Sequence, residues 1–248
     1  MICRRNDAAG KADSRHHFRV VNDESMQEMV ESVKQQGILV PAIARQKEDG
    51  RYELISGHRR KMACELAGLE TMPVLVRDLD RDAATLIMVD SNLQREVILP
   101  SEKAFSYKMR LEALKRQGQR TDLTSNPLGG KLGETASFIG EQIGDSGTQV
   151  RRYIRLTNLI PDLLNLVDEG RIKLRPAVEL SYLPEDIQTT LFDEIQAQDA
   201  TPSHAQAIRL RKLYETGSLT ENDIAEIMAE EKGNQKEKPI VANYISYY

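Results

Sequence analysis

The chain has 248 residues, with 34 Lys and Arg against 38 Asp and Glu and a formal net charge of −4. Its mean hydropathy is −0.48, and no apolar run approaches the roughly 20 residues that a membrane-spanning helix needs. The polar residues 1–15 lack the apolar core of a secretory signal, and Cys3 and Cys64 are too few for a disulfide framework. We therefore expect a soluble, cytoplasmic and mostly helical protein without a membrane partner.

Short helices and short strands alternate in the first part of the chain. Asn22 or Asp23 is placed to cap a helix whose apolar residues recur every three or four positions as far as Gln36. A later helix begins at Gly57, and its apolar spacing predicts that Leu66 faces inward. The predicted elements are helices over 23–36, 57–67 and 81–93, strands over 38–44, 52–55 and 73–76, and a turn at 48–50.

From Pro100 onward the hydrophobic spacing is that of helices alone. Residues 118–133 are rich in Gly, Ser, Asn and Pro, which is typical of a hinge loop. The fold class is therefore α+β: a small mixed α/β domain followed by an all-helical domain. The predicted organisation is a flexible N-terminus at 1–15, the α/β domain at 16–98, a connecting helix and hinge at 99–133, the helical domain at 134–231 and a polar tail at 232–248.

A helix-turn-helix is predicted at residues 135–157, because Gly144 interrupts an amphipathic helix and a second helix follows at once. Ser146 and Gln149 fit a Ser-x-x-Gln capping box at the start of that second helix. One face of the second helix is apolar, and the other carries three arginines and no acid, which suits contacts to bases and phosphates. The alternative is an ordinary helical hairpin with a solvated basic face. The candidate DNA-contacting residues are Ser146, Thr148, Gln149, Arg151, Arg152 and Arg155.

The connector before this motif is locally basic. Residues 108–131 contain six Lys and Arg against two acidic residues. We expect these cations to add phosphate contacts, which would make binding to DNA strongly dependent on salt.

A second cationic site is predicted where the strand before Gly57 meets the following helix. Gly57 lets the backbone approach a ligand, and the free N–H groups of a helix N-terminus favour an anion. Arg59 and Arg60 add fork-shaped donors suited to phosphate. Cations are unfavourable at a helix N-terminus unless an anion sits there, so the pair indicates a phosphate site. The alternative is a pair of solvated arginines. A solvated helix end likewise explains the polar segment at 90–96, which is a separate candidate for ligand contacts.

Taken together, these motifs resemble those of the ParB partition-protein family, including its plasmid and mobile-element members. The helix-turn-helix falls where that family has its centromere-reading element, and the resemblance covers roughly residues 16–185. The segments that carry the resemblance are QGILVP at 36–41, SGHRRKMA at 56–63, SNLQRE at 91–96 and LPSEKA at 99–104.

The resemblance implies an N-terminal domain that binds CTP and Mg²⁺. The triphosphate would lie on the Gly57–Arg60 turn and the Asn92–Arg95 segment, and the Gly37–Pro41 loop would lie near the cytosine. Asn92 would contact the magnesium ion. The implied nucleotide-binding residues are Gly37, Pro41, Gly57, His58, Arg59, Arg60, Ser91, Asn92 and Arg95.

The resemblance also implies a homodimeric, nucleotide-dependent clamp on double-stranded DNA, a ParA-like ATPase partner and association with the nucleoid. Two residues depart from the family pattern: His58 stands where Glu is usual, and Ser91 replaces the Glu that helps to hold magnesium. Since Ser is a neutral and weaker ligand for a hard cation, at most weak CTP hydrolysis is expected, and no catalytic residue is assigned. Two alternatives stay open: a kinase-like or sulfiredoxin-like nucleotide-dependent enzyme, and a transcription regulator with a vestigial nucleotide pocket.

Overall fold

The computed structural model describes residues 2–4, 20, 22–93, 98–120 and 132–230, and side chains within 22–93, 98–116 and 135–230. Its two compact units are Met1–Asn158 and Leu159–Tyr248. Nearly all of the predicted flexible N-terminus, most of the hinge and the polar tail lie outside the described residues. The domain bounds drawn from the sequence therefore stay a prediction.

The first unit combines a small sheet with short helices and one long helix. Its strands are β1 (Ile2–Arg4), β2 (Ala42–Gln46), β3 (Tyr52–Ser56) and β4 (Thr71–Arg77). Its helices are α1 (Glu24–Gln36), α2 (His58–Leu66), α3 (Arg81–Leu93), α4 (Pro100–Arg120), α5 (Leu132–Ile143) and α6 (Gly147–Leu156). The predicted fold class is confirmed: an α/β part comes first and helices alone follow it.

The sheet has the strand order β1-β4-β2-β3, in which β2 and β3 form an antiparallel hairpin and β2 and β4 run parallel. Alternation along β4 buries Met72 and Val74 and leaves Leu75 46% exposed, as expected when one face of a strand packs on a core. Helices α1 and α2 cover that face. The core there consists of Met26, Val30, Val33, Ala42, Ala44, Ala63, Cys64, Met72 and Val74.

Two details of the α/β part differ from the sequence prediction. The strand predicted from residue 38 begins only at Ala42, because Pro41 has no N–H to donate to a neighbouring strand. Leu66, predicted to face inward, is 46% exposed. The buried side of α2 is centred between Ala63 and Cys64, and at about 100° per residue Leu66 lies about 110° away from that centre.

Helix caps set several of the element ends. Asp23, one of the two caps that the sequence offers, caps α1 by accepting a hydrogen bond from Met26 N at 2.9 Å.

Burial raises the pKa of the Cys64 thiol, with a smaller contribution from the charge of Glu65. This thiol therefore stays protonated and packs as an apolar side chain.

The second unit is wholly helical over its described residues. Its helices are α7 (Pro161–Asp168), α8 (Leu174–Leu180), α9 (Glu185–Gln198), α10 (His204–Glu215) and α11 (Glu221–Ala229). Ser203 and Thr220 begin α10 and α11 with complete capping boxes. Gln206 is buried, and its amide nitrogen donates to Ile227 O at 2.6 Å, which ties α10 to α11.

Gly57→Ala should destabilise the first unit more than Gly50→Ala does. Both glycines have a positive φ, of 106° and 79°, but only at Gly57 would a Cβ meet another atom, 2.7 Å from the Cβ of Ala42. Backbone strain and overpacking each cost about 1–3 kcal/mol, so the expected difference in unfolding free energy is about 1–3 kcal/mol. Urea unfolding of both variants measures it, and equal losses would contradict the close packing of this turn.

Candidate nucleotide-binding turn and helix-turn-helix

The turn at Gly57 presents a helix N-terminus with no acidic residue in its first turn. The first backbone bond of α2 runs from Lys61 N to Gly57 O at 2.9 Å, so the N–H groups that precede it have no partner within the helix. The missing Cβ of Gly57 allows this turn to pack directly on Ala42 of β2. The result is a positively polarised backbone surface of the kind that binds anions.

Arg60 fastens this turn to the loop that follows α1. Its Nη1 donates to Val40 O at 2.6 Å and to Pro41 O at 2.8 Å. The structure thus brings together three predicted nucleotide-binding residues, Pro41, Gly57 and Arg60. The loop is held through its backbone, while the side chains of Leu39 and Val40 are 75% and 65% exposed.

Arg59 reaches the N-terminus of α1. Its Nη2 donates to Ser25 Oγ at 2.8 Å and lies 3.4 Å from Asp23 Oδ1. A phosphate at this place would therefore compete with Ser25 and Asp23 for the guanidinium. Gly37, another predicted residue, ends α1 with a φ of 70° and donates its N–H to Val33 O at 2.9 Å.

The predicted residues at the end of α3 bond to their own helix. Ser91 Oγ donates to Ile87 O at 2.8 Å, and Asn92 Nδ2 donates to Met88 O at 2.9 Å. Among the described residues, neither side chain forms a hydrogen bond with the Gly57 turn. Arg95, the last residue of the predicted set, lies outside the described residues.

The described residues do not fit a protein-held magnesium ion. Mg²⁺ is usually held by one or two carboxylates together with substrate phosphates, whereas Ser91 and Asn92 offer neutral oxygens. The neighbouring carboxylate of Asp90 forms an ion pair with Arg110. Within the described ranges there is no group of three His, Cys, Asp or Glu side chains that could hold a metal ion.

Two of the six basic residues of the connector are already paired within the fold. Arg110 is 8% exposed and donates both to Asp90 of α3 and to Gln142 of α5. Arg116 donates from Nε to the buried Asp82 at 2.8 Å. The prediction that the basic connector supplies phosphate contacts is therefore wrong for Arg110, because a buried charge needs its internal partner. Arg116 is 46% exposed beside Asp82, and for this residue the phosphate contact stays a prediction.

Helices α5 and α6 form the predicted helix-turn-helix, and glycines permit their close approach. Gly144 turns the chain with a φ of 83°. A Cβ at Gly147 would lie 2.9 Å from the backbone N and Cα of Ser137, and a Cβ at Gly140 would overlap the carbonyl oxygen of Asp145. The sequence indicates the turn glycine from its position, whereas the two contact glycines are recognised only when the helices are seen together.

The second helix packs as predicted, but only half of its predicted capping box forms. Ser146 is its N-cap and accepts a hydrogen bond from Gln149 N at 3.1 Å, which is one of the two bonds of a capping box. Val150 is fully buried between the helices. The shared core of α4, α5 and α6 comprises Tyr107, Leu111, Ala136, Ile139 and Val150, with Tyr153 and Ile154 packed against it.

The opposite face of α6 is accessible. Thr148, Arg151 and Arg152 are exposed, whereas Gln149 and Arg155 are half-buried. Arg151 Nη2 donates to Thr148 Oγ1 at 3.1 Å, which aligns two of the predicted DNA-contacting side chains. Arg152 makes no ion pair and no side-chain hydrogen bond with any described residue, so its guanidinium is available to a ligand.

Sequence reasoning missed a polar cluster beneath the turn. Asp145 Oδ2 accepts from Tyr107 Oη at 2.5 Å and lies 2.7 Å from Lys103 Nζ. Burial, followed by the hydrogen bond to Asp145, raises the pKa of Tyr107. Burial also favours a raised pKa at Asp145, but the hydrogen bonds from Lys103 and Tyr107 outweigh it and lower that pKa. A signal was present in the sequence, because Lys103 and Tyr107 are four residues apart and share one face of a helix.

Comparison with known proteins now gives the family. Residues 9–93 match the family model of the ParB N-terminal domain. The chain is 32% identical over 190 residues to the chromosome-partitioning protein Spo0J of Thermus thermophilus, covering 76% of this chain and 63% of that protein. It is 35% identical over 160 residues to the stage 0 sporulation protein J of Bacillus subtilis, covering 64% of this chain and 49% of that protein. The chain thus spans less than two thirds of these relatives' length.

The fold has a counterpart among solved structures. A Pnob8-like ParB-N domain is similar with a TM-score of 0.52 at 16% identity, covering 92% of this chain and 97% of that chain. The fold is thus that of a ParB-N type domain with helices after it. Residues 9–93 thus carry a ParB N-terminal domain, and the relatives similar to this chain are chromosome-partitioning proteins of about 30% identity.

In the part of the chain that the structure describes, each helix is too short or too polar to cross a bilayer.

Asp145→Asn should make the free energy of unfolding less dependent on pH in the acidic range. Because the folded-state pKa of Asp145 is lowered, its charge stabilises the fold above the ordinary carboxylate pKa, and this contribution is lost as the pH falls through the lowered value. At neutral pH we expect the variant to be less stable by about 2 kcal/mol, the scale of hydrogen bonds to a charged group. The gap should close on acidification. Urea unfolding followed through the helical signal at a series of pH values measures it.

Asp49→Asn is the matched control for this prediction. Asp49 also has a lowered pKa, through its hydrogen bonds with Arg51, but the pair lies on the surface, where such pairs contribute little. A wild-type advantage over Asp145→Asn that stays constant from neutral to acidic pH would contradict the assigned role of the Asp145 charge.

Proposed function

We propose that the chain is a sequence-specific DNA-binding protein of the ParB partition type whose action depends on a nucleotide. The observation that carries the proposal is the exposed, acid-free face of α6 with Arg151 and Arg152. It lies on a helix that glycine contacts and a buried core hold against α5. The relatives support the partition role, since the Thermus thermophilus protein is named a chromosome-partitioning protein.

Recognition of DNA would begin at the N-terminal end of α6, as in other helix-turn-helix proteins. Arginine can contact the O6 and N7 atoms of guanine with two hydrogen bonds, and Gln149 can pair in the same way with adenine. Ser146 and Thr148 would add hydroxyl contacts to phosphates. Arg155 lies two turns further along, where it would reach the DNA backbone rather than base edges.

The nucleotide would be CTP, as the resemblance of the three N-terminal motifs implies. Its phosphates would take up the N–H groups of the Gly57 turn and the free donors of Arg59 and Arg60. The exposed side chains of Leu39 and Val40 would offer an apolar surface for the base beside that turn. Ser91, Asn92 and Arg95 would complete the site from the end of α3.

Magnesium enters this proposal only as an ion carried by the nucleotide. Asn92 Oδ1 is the predicted protein contact, and the neighbouring carboxylate of Asp90 is already paired with Arg110. We expect binding of CTP with no more than slow hydrolysis. A homodimer, association with the nucleoid and a ParA-like ATPase partner belong to the same proposal and follow from the family alone.

Arg152→Ala should weaken specific DNA binding by roughly tenfold or more, the loss expected for an arginine that contacts a base or phosphate. The probe is the duplex that the wild-type chain enriches from a random double-stranded library, and its dissociation constant is measured at several salt concentrations. Since Arg152 makes no internal bond, the unfolding free energy should stay within about 0.5 kcal/mol.

Arg51→Ala is the control, because it removes the same charge from an exposed arginine that is paired with Asp49 on the hairpin turn. It should leave the affinity for the enriched duplex unchanged. The proposal fails if wild type enriches no duplex, or if Arg152→Ala binds the enriched duplex as wild type does.

Arg60→Ala should abolish CTP binding, because the substitution removes both a phosphate donor and the two bonds that hold the loop at Val40 and Pro41. Arg60→Lys keeps the charge without the planar fork and should bind CTP with an intermediate affinity. Calorimetry with CTP, ATP and GTP, with Mg²⁺ and with a chelator, measures both variants against wild type. Selective CTP binding supports the proposal, ATP use with phosphoryl transfer supports the kinase-like alternative, and no binding supports a vestigial pocket.

A further inference from the structure

We propose that Lys103, Tyr107 and Asp145, the turn clamp, are positioning residues through which α4 sets the placement of α6 and so its discrimination between DNA sequences. This inference rests on the proposed function. It adds residues that would touch no DNA themselves.

The geometry of the turn clamp joins one helix to one loop residue. Tyr107 is fully buried, and its hydroxyl donates to Asp145 Oδ2 at 2.5 Å. Lys103 Nζ lies 2.7 Å from the same oxygen. Asp145 immediately precedes Ser146, the N-cap of α6, so the side chain that α4 holds belongs to the residue that leads into the recognition helix.

The backbone of Asp145 is held as well, from the other side. Its N–H donates to Gly140 O at 2.9 Å, and its carbonyl oxygen packs where only a glycine fits. With α5 fixing the main chain and α4 fixing the side chain, little freedom remains at the start of α6. Base readout needs such precision, because functional side chains must be held within about 0.5 Å of the productive geometry.

The turn clamp also pairs the acidic charge that lies next to the start of α6. Asp145 is the only acidic residue in the segment 144–156, and Lys103 supplies the opposite charge beside it. The same ammonium lies 4.9 Å from the ring centroid of Tyr153, on the inner side of α6. Lys103 therefore links the turn, through its carboxylate, with the packed face of the recognition helix, through a cation–π contact.

Tyr107→Phe separates position from charge, because it removes one hydroxyl and leaves the Lys103–Asp145 pair in place. In the 248-residue chain we expect its affinity for the enriched duplex to fall about tenfold, equivalent to about one hydrogen bond. Its affinity for a scrambled duplex of the same length should stay unchanged, since non-specific binding depends on phosphates. A fall of the same size on both duplexes, or on neither, would overturn the proposal.

A charge swap tests the ion pair. Asp145→Lys sets two ammonium groups against each other and should reduce the preference for the enriched duplex further, whereas the double variant Lys103→Glu with Asp145→Lys should largely restore it. Failure of the double variant to recover the preference, while its helical content matches wild type, would show that the pair does not position α6.

Hydrogen exchange gives a readout that needs no DNA. Amides at the start of α6, from Gly147 to Val150, should exchange faster in Tyr107→Phe, while those of α9 in the second unit keep the wild-type rate. Unchanged exchange at the start of α6 would overturn the turn clamp even where wild type enriches a duplex. If wild type enriches none, the proposed function fails, and the exchange experiment still decides whether the clamp holds the helix.

Discussion

Pairing of charge along the single long helix α4 is the constraint on which the first unit depends. Its basic side chains Arg116, Arg110 and Lys103 hold Asp82, Asp90 and Asp145, which belong to two ends of α3 and to the turn before α6. Asp82 and Arg110 are buried, and a charge removed from water must find a partner, so their two pairs favour one register between α3 and α4. The order of the pairs also requires α3 to run antiparallel to α4.

Internal partners distinguish the cations that hold the fold together from those that are available to a ligand. Arg110 and Arg116 have internal acids to neutralise, whereas Arg152 has none among the described residues. Charge counted along the sequence does not distinguish these cases, so composition alone assigns phosphate contacts to every cation of the locally basic connector. The distinction arises from contacts between residues about 20–34 positions apart.

Local signals explain what the sequence predicted well. The cap at Asp23, the bounds of α3 and the cap at Ser146 follow from residues within a few positions of each other, and the structure reproduces them. The two motif segments around Pro41 and Gly57 were assigned to one site by family resemblance, and Arg60 does join them.

Other features depended on the folded chain and could not be read in advance. Arg60 bonds to carbonyl oxygens, and Arg59 bonds to the start of α1, because of the way β2 and the two helices pack together. Likewise, Gly140 and Gly147 carry no turn signal. A side chain at Gly147 would meet Ser137 of α5, and one at Gly140 would meet the carbonyl of Asp145 in the turn. The use of Ser91, Asn92 and Arg95 by a ligand stays a prediction.

Arg60 grips the loop after α1 through carbonyl oxygens at Val40 and Pro41, and every amino acid carries the same carbonyl group. Substitutions at Leu39 and Val40 would consequently leave the anchor intact while altering the outward surface that those side chains form. The side chains at Leu39 and Val40 can therefore change in evolution while the hydrogen bonds from Arg60 to the backbone of this loop are kept.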